Sequence, residues 1–270
     1  MALKPNSNLI PLNGGNNVTL LKGGYIRDKI DTRDYVYKVN KNVAAAARLP
    51  VSSSLRSAMP PVLDQGNLGS CVSNAVCNAL GFLNIKLKKP IGFKSRLFNY
   101  YNTRVLEGTV TQDSGCEIRD AVKASNKTGN CYETSWPYNI SRFTLKPPQQ
   151  TYTEASQHKL TLYQRVNQDR TSIKSCILTG YPVVIGFTCF NTLYNPSVER
   201  TGDILMPMRR DYIIGGHCVL ITGYNDSTQR YEIQNSWGTR WGKQGYGTIP
   251  YSYVENPGYA TDFWQMQKEP

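Results

Sequence analysis

The stretch Asp64-Gln65-Gly66-Asn67-Leu68-Gly69-Ser70-Cys71 constrains this chain more than any other. Two glycines, an asparagine and an aspartate make it a turn. Directly after it, Val72, Ala75, Val76, Ala79, Leu80 and Leu83 recur at three- and four-residue steps. That spacing predicts a helix with one buried face. Cys71 therefore falls at or near a helix N-terminus, where unpaired backbone N–H groups and the positive end of the macrodipole favour a thiolate. Gly66 and Gly69 leave room for another main chain to approach the sulfur, and Gln65 sets a side-chain amide in the same loop. A cysteine taken alone is more often a small buried hydrophobe than a nucleophile, so the reading turns on whether the chain also supplies a base and an orienter.

It has only two histidines. His217 lies in Ile213-Ile214-Gly215-Gly216-His217-Cys218-Val219-Leu220, where a glycine pair leads into an apolar strand. Eighteen residues on, the short strand Tyr231-Glu232-Ile233-Gln234 ends at Asn235, followed by Ser236-Trp237-Gly238-Thr239-Arg240-Trp241. Asn235 can accept a hydrogen bond from an imidazole N–H, and an indole can shield that bond from water. A cysteine, a distant histidine and then an asparagine is an arrangement suited to acyl transfer through a thiol.

Gln65, Gly69-Ser70-Cys71, Gly216-His217 and Asn235-Ser236-Trp237-Gly238 together resemble the papain/cathepsin family of cysteine peptidases. From residue 71 to residue 217 is 146 positions, inside the roughly 130–150 typical of that family. The resemblance runs from about Leu49 to the C-terminus. It implies that Cys71 is the nucleophile, His217 its proton partner, Asn235 the residue holding the imidazole, and Gln65 an oxyanion donor. Trp237 would cover the His217–Asn235 bond and Trp241 would line the leaving-group side. Two positions depart from the family pattern: Val72 stands where a tryptophan is usual, and Leu68 where a disulfide cysteine is usual. The run Pro60-Pro61-Val62-Leu63-Asp64-Gln65-Gly66-Asn67-Leu68-Gly69-Ser70-Cys71, with Ile249-Pro250-Tyr251-Ser252-Tyr253-Val254, resembles instead the branch seen in bacteria, archaea and large DNA viruses.

The fold this implies is α+β and two-lobed. A helical lobe over about 49–150 carries Cys71 and faces a β-rich, antiparallel barrel-like lobe over about 151–270 that carries His217 and Asn235. From the residues themselves, the runs 182–187, 218–223, 230–234 and 245–249, bounded by glycine and proline, read as strands of such a lobe. Ile118, Ala121 and Val122 give the segment 117–125 a helical spacing, and Trp136-Pro137-Tyr138 reads as a turn closing the first lobe. Asp113-Ser114-Gly115-Cys116 resembles the wall of the family's substrate cleft, with Gly115 as the main-chain contact for an extended peptide. By the same resemblance the main side-chain pocket draws on Cys116, Gly216, Cys218 and Asp262. Asp262 inside that pocket would favour a basic side chain; a surface or capping role is the alternative.

Residues 1–48 read as an extension ahead of the catalytic domain. They carry the glycine pairs Gly14-Gly15 and Gly23-Gly24 and join through Ala44-Ala45-Ala46-Ala47. Family members are commonly made as zymogens, so the extension is either an inhibitory arm or a strap packed on the domain. The net charge of +12, from 31 lysines and arginines against 19 acidic residues, reads as a solvated face that includes Lys86, Lys88, Lys89, Lys94 and Arg96. Nonspecific contact with nucleic acid or acidic partners through that surface follows from the charge, but no phosphate-loop motif or nucleic-acid fold signature accompanies it. No apolar run approaches the roughly 18 residues of a membrane span, and the N-terminus lacks the continuous apolar core of a secretory signal. The expected location is the cytoplasm or, for a viral protein, a particle such as a virion. Seven cysteines, an odd number, fit reduced thiols better than a disulfide framework, with Cys116 and Cys131 as the pair that could bond. The expected function is a cysteine endopeptidase that needs no metal or cofactor and acts on a peptide or protein substrate. A catalytically silent peptide-binding module and a cysteine acyltransferase are the alternatives.

Overall fold

A computed structural model describes residues 23–45, 49–89 and 92–267. The first 22 residues of the extension, Gly14-Gly15 included, and the end of the alanine run at Ala46 and Ala47 lie outside the described residues. In chain order the elements are β1 (Tyr25–Ile26), α1 (Lys41–Ala45), β2 (Ser52–Ser54), α2 (Cys71–Lys86), α3 (Arg96–Glu107), β3 (Cys116–Glu117), α4 (Ile118–Lys127), α5 (Gln149–Ser156), β4 (Leu162–Arg165), α6 (Arg170–Leu178), β5 (Val183–Phe190), α7 (Pro196–Thr201), β6 (Ile213–Asn225), β7 (Arg230–Gln234), β8 (Tyr246–Pro250), α8 (Tyr251–Val254) and β9 (Ala260–Gln267).

The periodic segment after Cys71 forms α2, but its burial differs from the one-faced helix its spacing predicts: every residue from Cys71 to Asn84 is buried. The helix is wedged between the helical layer and β6, so its polar side also meets protein. Two of the polar side chains there are bonded. Asn74 Nδ2 donates to the Ser70 carbonyl at 2.9 Å, and Asn78 Nδ2 donates to Gln234 Oε1 at 2.7 Å. Helix α3 is bounded as its sequence dictates: the Ser95 hydroxyl accepts from the Phe98 amide, and Gly108 ends the helix at φ 70°, where a side chain would be strained.

The strand-rich half builds a seven-stranded sheet in the order β4-β9-β5-β6-β7-β8, with β2 added beside β6, and every pairing in it is antiparallel. Its core, including Val183, Ile185, Val219, Ile221, Tyr231 and Ile233, is distinct from the core of the helical lobe, which includes Leu80, Leu83, Leu97, Phe98 and Val122. The chain crosses between the two layers at both ends. β2, from the start of the segment read as helical, pairs with β6, while Trp264 and Met266 of β9 pack into the helical core. Trp136 is buried beyond α4.

The described part of the extension divides into two pieces with different partners. In the first, β1 pairs in parallel with β3. Further on, the Arg165 amide donates to the Tyr35 carbonyl at 2.7 Å and the Tyr37 amide to the Arg165 carbonyl at 2.8 Å, so residues 35–37 lengthen the sheet beside β4. Tyr37 is buried in the β-lobe core with its hydroxyl 2.9 Å from Ser175 Oγ, and α1 packs on α6. Between the pieces, the Ile30 side chain is 98% exposed.

The basic cluster expected on the surface is smaller than its sequence suggests. Lys94 is 3% and Arg96 8% exposed. The Lys94 ammonium lies 3.7 Å above the Tyr132 ring. Arg96 pairs with Glu133 and donates to the Asp64 carbonyl at 2.8 Å and to Asn74 Oδ1 at 3.1 Å. These two cations are used inside the helical lobe, and of the five only Lys86, Lys88 and Lys89 reach solvent. Among the described residues no helix is long and apolar enough to cross a membrane.

Candidate active site

Cys71 is the first residue of α2, as its place after the glycine turn predicts, and it is fully buried. Several bonds fix the turn. The Gly69 amide donates to Asp113 Oδ1 at 3.0 Å, and that carboxylate also accepts from the Tyr100 hydroxyl at 2.6 Å. Ser70 Oγ lies 2.5 Å from the Tyr138 hydroxyl, which also donates to the Gln65 carbonyl. Gln65 is buried, its Nε2 donating to the Leu68 carbonyl at 3.0 Å and its Oε1 accepting from Ser236 Oγ at 2.8 Å. Gln65 thus ties the Cys71 loop of the helical layer to the strand end that carries Asn235.

Across the cleft, His217 sits on β6 opposite Phe187 of β5, and Asn235 follows the last residue of β7. His217 Nε2 and Asn235 Oδ1 are 2.7 Å apart, and both residues are buried. The carbonyl oxygen can only accept, so the ring carries its proton on Nε2. His217 Nδ1 is buried with no hydrogen-bond partner. The Trp237 indole stacks on the imidazole at 4.4 Å and 24°, and Phe187 meets it edge-on at 5.7 Å. Trp241 stands at 88° to Trp237, 5.6 Å away, and is 3% exposed. Its position is therefore behind Trp237, propping it, while Trp237 itself lines a small groove with Gly23, Leu193, Gly215, Gly216 and His217.

The cleft between these groups holds the chain's own extension. Gly24 packs on Gly69, and its carbonyl accepts from the Cys116 amide at 2.8 Å. The strand contact of the cleft wall thus runs through the Cys116 backbone. The Gly115 amide is taken by the Tyr100 hydroxyl at 3.1 Å, and Gly115, at φ 74°, contributes clearance: a methyl group on it would overlap the Gly24 carbonyl. The Cys116 and Cys218 side chains are fully buried, and Gly216 lies against the Tyr25 backbone.

Tyr25 points into the pocket where Asp262 was expected. Its hydroxyl donates to Asp262 Oδ2 and lies 2.5 Å from Thr261 Oγ1. Asp262 is 7% exposed, not on the surface, and its Oδ1 accepts from Arg165 Nη1 at 3.0 Å. Beyond Tyr25, Asp28 is buried. It accepts from the Arg119 amide at 3.0 Å and from the Trp264 indole at 2.8 Å, and pairs with Arg165 at 2.9 Å. The sequence reading offered an inhibitory arm without singling out Tyr25 or Asp28, and it placed Asp113 in the cleft wall and Tyr138 in a closing turn without the bonds by which they hold the Cys71 loop. The signal within reach was the Gly23-Gly24 pair, since two adjacent glycines allow a backbone to lie flat against another.

With the extension in place, electrostatics favour a neutral pair. Burial pushes the Cys71 thiol up to about 11, although the backbone N–H groups of Gly24, Cys218 and Val72 favour the anion. Burial likewise pulls the His217 imidazolium down to about 4, against the Asn235 hydrogen bond. The thiolate expected from the helix N-terminus is thus suppressed by burial. All seven cysteines are buried and unpaired, Cys116 and Cys131 included.

A cysteine opening a buried helix, facing a sheet that presents a histidine bonded to an asparagine under a tryptophan, defines a papain-like α+β protein. The chain belongs to the papain family of cysteine proteases, whose family model matches residues 49–263; it is a cysteine peptidase, a hydrolase. It is 37% identical to the uncharacterized peptidase C1-like protein L477 of Acanthamoeba polyphaga mimivirus, over 91% of this chain and 86% of that one. It is 27% identical to cysteine proteinase 3 of Entamoeba histolytica, over 78% of this chain and 66% of that one. Among solved structures it is similar to xylellain, a cysteine protease from Xylella fastidiosa, with a TM-score of 0.87 and 39% identity over 92% of this chain and 96% of that one. The digestive procathepsin L 3 of Tenebrio molitor shares the fold at a TM-score of 0.66 and 20% identity, over 87% of this chain and 75% of that one.

Proposed function

We propose that the chain is an endopeptidase that works through Cys71, His217, Asn235 and Gln65 and is held inactive by residues 23–28. The observation that carries this is the 2.7 Å His217–Asn235 bond, which leaves Nδ1 unpartnered in the cleft that also holds Cys71. Once the extension leaves, the Cys71 thiol gives its proton to His217 Nδ1, the sulfur attacks the substrate carbonyl carbon, and the carbonyl electron pair moves to oxygen. The Cys71 amide and the Gln65 side-chain amide stabilise that oxyanion. As the C–N bond breaks, the His217 imidazolium protonates the leaving amine. Water then adds to the thioester with His217 taking its proton, the C–S bond breaks, and the acid departs.

Trp237 shields the imidazole and lines the leaving-group side, with Trp241 as its support. Gly115 and Cys116 form the wall that pairs with the substrate backbone, and Gly216 and Asp262 help to shape the side-chain pocket. Residues 23–28 form the inhibitory piece, and residues 34–45 belong with the catalytic domain that continues from residue 49. The unpaired thiols support a reducing compartment, the cytoplasm or the interior of a particle. Acyl transfer to an amine shares every step up to the thioester.

Labelling with an epoxide thiol-protease inhibitor tests the reading, on the full-length chain and on one beginning at Asp34, with Cys71→Ala as control. Strong labelling of Cys71 in the shorter chain and weak labelling in the longer one is expected. No labelling in either leaves a silent binding module. Peptide cleavage with and without an added amine then separates hydrolysis from transfer.

A further inference from the structure

Tyr25 occupies a slot whose walls come from β5, β6 and β9. Its ring lies against Gly186 so closely that a methyl group there would overlap it, and a methyl on Gly216 would come within 3.0 Å of Cδ1. At the far end wait two oxygen atoms, Asp262 Oδ2 and Thr261 Oγ1, both within reach of the phenol. The Asp28 amide also donates to Asp262 Oδ2, at 2.8 Å. Tyr25 and Asp28 both belong to the extension, so when it leaves the cleft these donors leave with it.

The other Asp262 oxygen is held from behind. Arg165 donates to it at 3.0 Å, with the guanidinium 4.6 Å over the Trp264 ring. Arg165 also pairs with Asp34 at 2.8 Å, as Arg119 does at 2.7 Å, so once Asp28 leaves with the extension two guanidiniums face Asp34 and Asp262. The buried Asp262 charge is balanced before any ligand arrives, and the slot offers a hydrogen-bond acceptor more than an unpaired negative charge. Resting on the peptidase reading above, we propose that this slot selects a tyrosine side chain of the peptide substrate over a basic one. Asp262 and Thr261 read the hydroxyl, and Arg165 cancels the attraction that a lone carboxylate would exert on lysine or arginine.

The chemistry of the walls sets the order of preference. Phenylalanine fills the same apolar volume but leaves Asp262 Oδ2 with only the 3.3 Å bond from Thr261 Oγ1, a loss that a site built to bond a hydroxyl penalises. A lysine or arginine would give up its hydration in a slot floored by glycine and would meet a carboxylate already shared with Arg165. A small side chain would leave the space between Gly186 and Gly216 unfilled. The extension reports on this slot because its backbone bonds to Cys116, on the same wall an extended peptide would use.

Two measurements test the proposal. The first is amide hydrogen exchange over residues 24–28 in the full-length chain, which reads occupancy of the slot whether or not the thiol turns over. Tyr25→Phe is expected to speed exchange about tenfold, and Tyr25→Arg is expected to protect no better than Tyr25→Phe. Protection in the Tyr25→Arg chain equal to that in the unaltered chain, or an unchanged rate in Tyr25→Phe, overturns the proposal. The second uses the full-length Tyr25→Ala chain, its slot emptied, with peptides that differ only in the residue entering the slot. Tyrosine is expected to exceed phenylalanine about tenfold in kcat/KM, arginine to do no better than phenylalanine, and Asp262→Asn to bring the tyrosine-to-phenylalanine ratio towards one. Equal rates for tyrosine and phenylalanine overturn the proposal whatever the exchange result. If this chain cuts no peptide, the exchange result alone decides the slot, and labelling of the chain beginning at Asp34 decides the peptidase reading.

Discussion

Gly24 lies flat on Gly69: a methyl group on Gly24 would overlap the Gly69 carbonyl and come within 2.7 Å of its Cα. The contact joins the extension to the loop that presents Cys71, and it depends on Gly24 having no side chain, whereas a methyl group on Gly69 would instead come within 2.9 Å of Asp113 Oδ1. Backbone packed on backbone in this way has no flexible end that could yield, so a single methyl must displace one strand or the other.

Gly24→Ala is therefore expected to lift the extension from the thiol. Alkylation of Cys71 by iodoacetamide at pH 7 should rise about tenfold or more, because with the thiol held near 11 only about one molecule in 10⁴ carries the thiolate. Melting should show the rest of the fold intact. An unchanged alkylation rate would show that the extension does not control the thiol.

Asn235 and Gln65 should separate in their effects on peptide hydrolysis. Asn235→Ala frees the imidazole from its 2.7 Å anchor and should lower kcat about 10–100-fold with KM little changed. Gln65→Ala removes the proposed oxyanion donor and should lower kcat by about 10²–10³. The same side chain also bonds Leu68 and Ser236, so a melting curve must accompany the assay. A Gln65→Ala chain that folds and keeps full kcat would remove Gln65 from the chemistry.

The extension should be held more tightly at pH 5 than at pH 7.5. Burial and then the neighbouring Asp262 charge raise Asp28 from 3.8 to about 6, against the Arg119 amide, the Trp264 indole and Arg165. A carboxyl raised on docking contributes affinity that is full below about 3.8 and is lost as pH rises through about 6, about 3 kcal/mol over the whole window, of which about 1.4 kcal/mol falls between pH 5 and pH 7.5. Asp34 works in the opposite sense. For it burial is outweighed by Arg119 and Arg165, so its value is lowered and its contribution is lost only as pH falls below the ordinary carboxylate range. Hydrogen exchange over residues 24–28, corrected for intrinsic rates, should be slowest near pH 4–5, and Asp28→Asn should flatten the profile above that. Tighter docking at pH 7.5 would contradict this assignment.

Removing all 48 residues of the extension should cost stability that removing the first 33 does not. Tyr37 is buried in the β-lobe core and bonded to Ser175, and truncating a buried aromatic costs about 3–5 kcal/mol. Thermal melting of chains beginning at Asp34 and at Leu49, with Tyr37→Ala in the full-length protein, checks this. Equal melting temperatures for the two shortened chains would make residues 34–45 a passive strap.

The Asp64-to-Cys71 turn, the glycines before His217 and the strand ending at Asn235 were legible in the sequence because each is set by local rules: glycine conformations, a 3.6-residue repeat, short β-branched runs. So were the strands β5, β7 and β8 and the helix α4. What local rules could not supply is which surfaces meet. The helix α2 was expected to have a solvent face and has none from Cys71 to Asn84, because burial depends on what packs against the far side. Lys94 and Arg96 look like surface charge until Tyr132 and Glu133 are brought to them.

The sequence by itself determined the chemistry that is present: a thiol at a helix start, an imidazole, an amide to orient it, and no competing phosphate or membrane signature. Only the tertiary structure decided the state of that chemistry. It laid Gly24 over the thiol, filled the slot with Tyr25, and set Arg165 behind Asp262. The physical reason is desolvation. Whether a cysteine is a thiolate, or an aspartate attracts a cation, depends on how much water and which countercharge lie within a few ångströms, and those neighbours come from residues up to 237 positions apart in the chain.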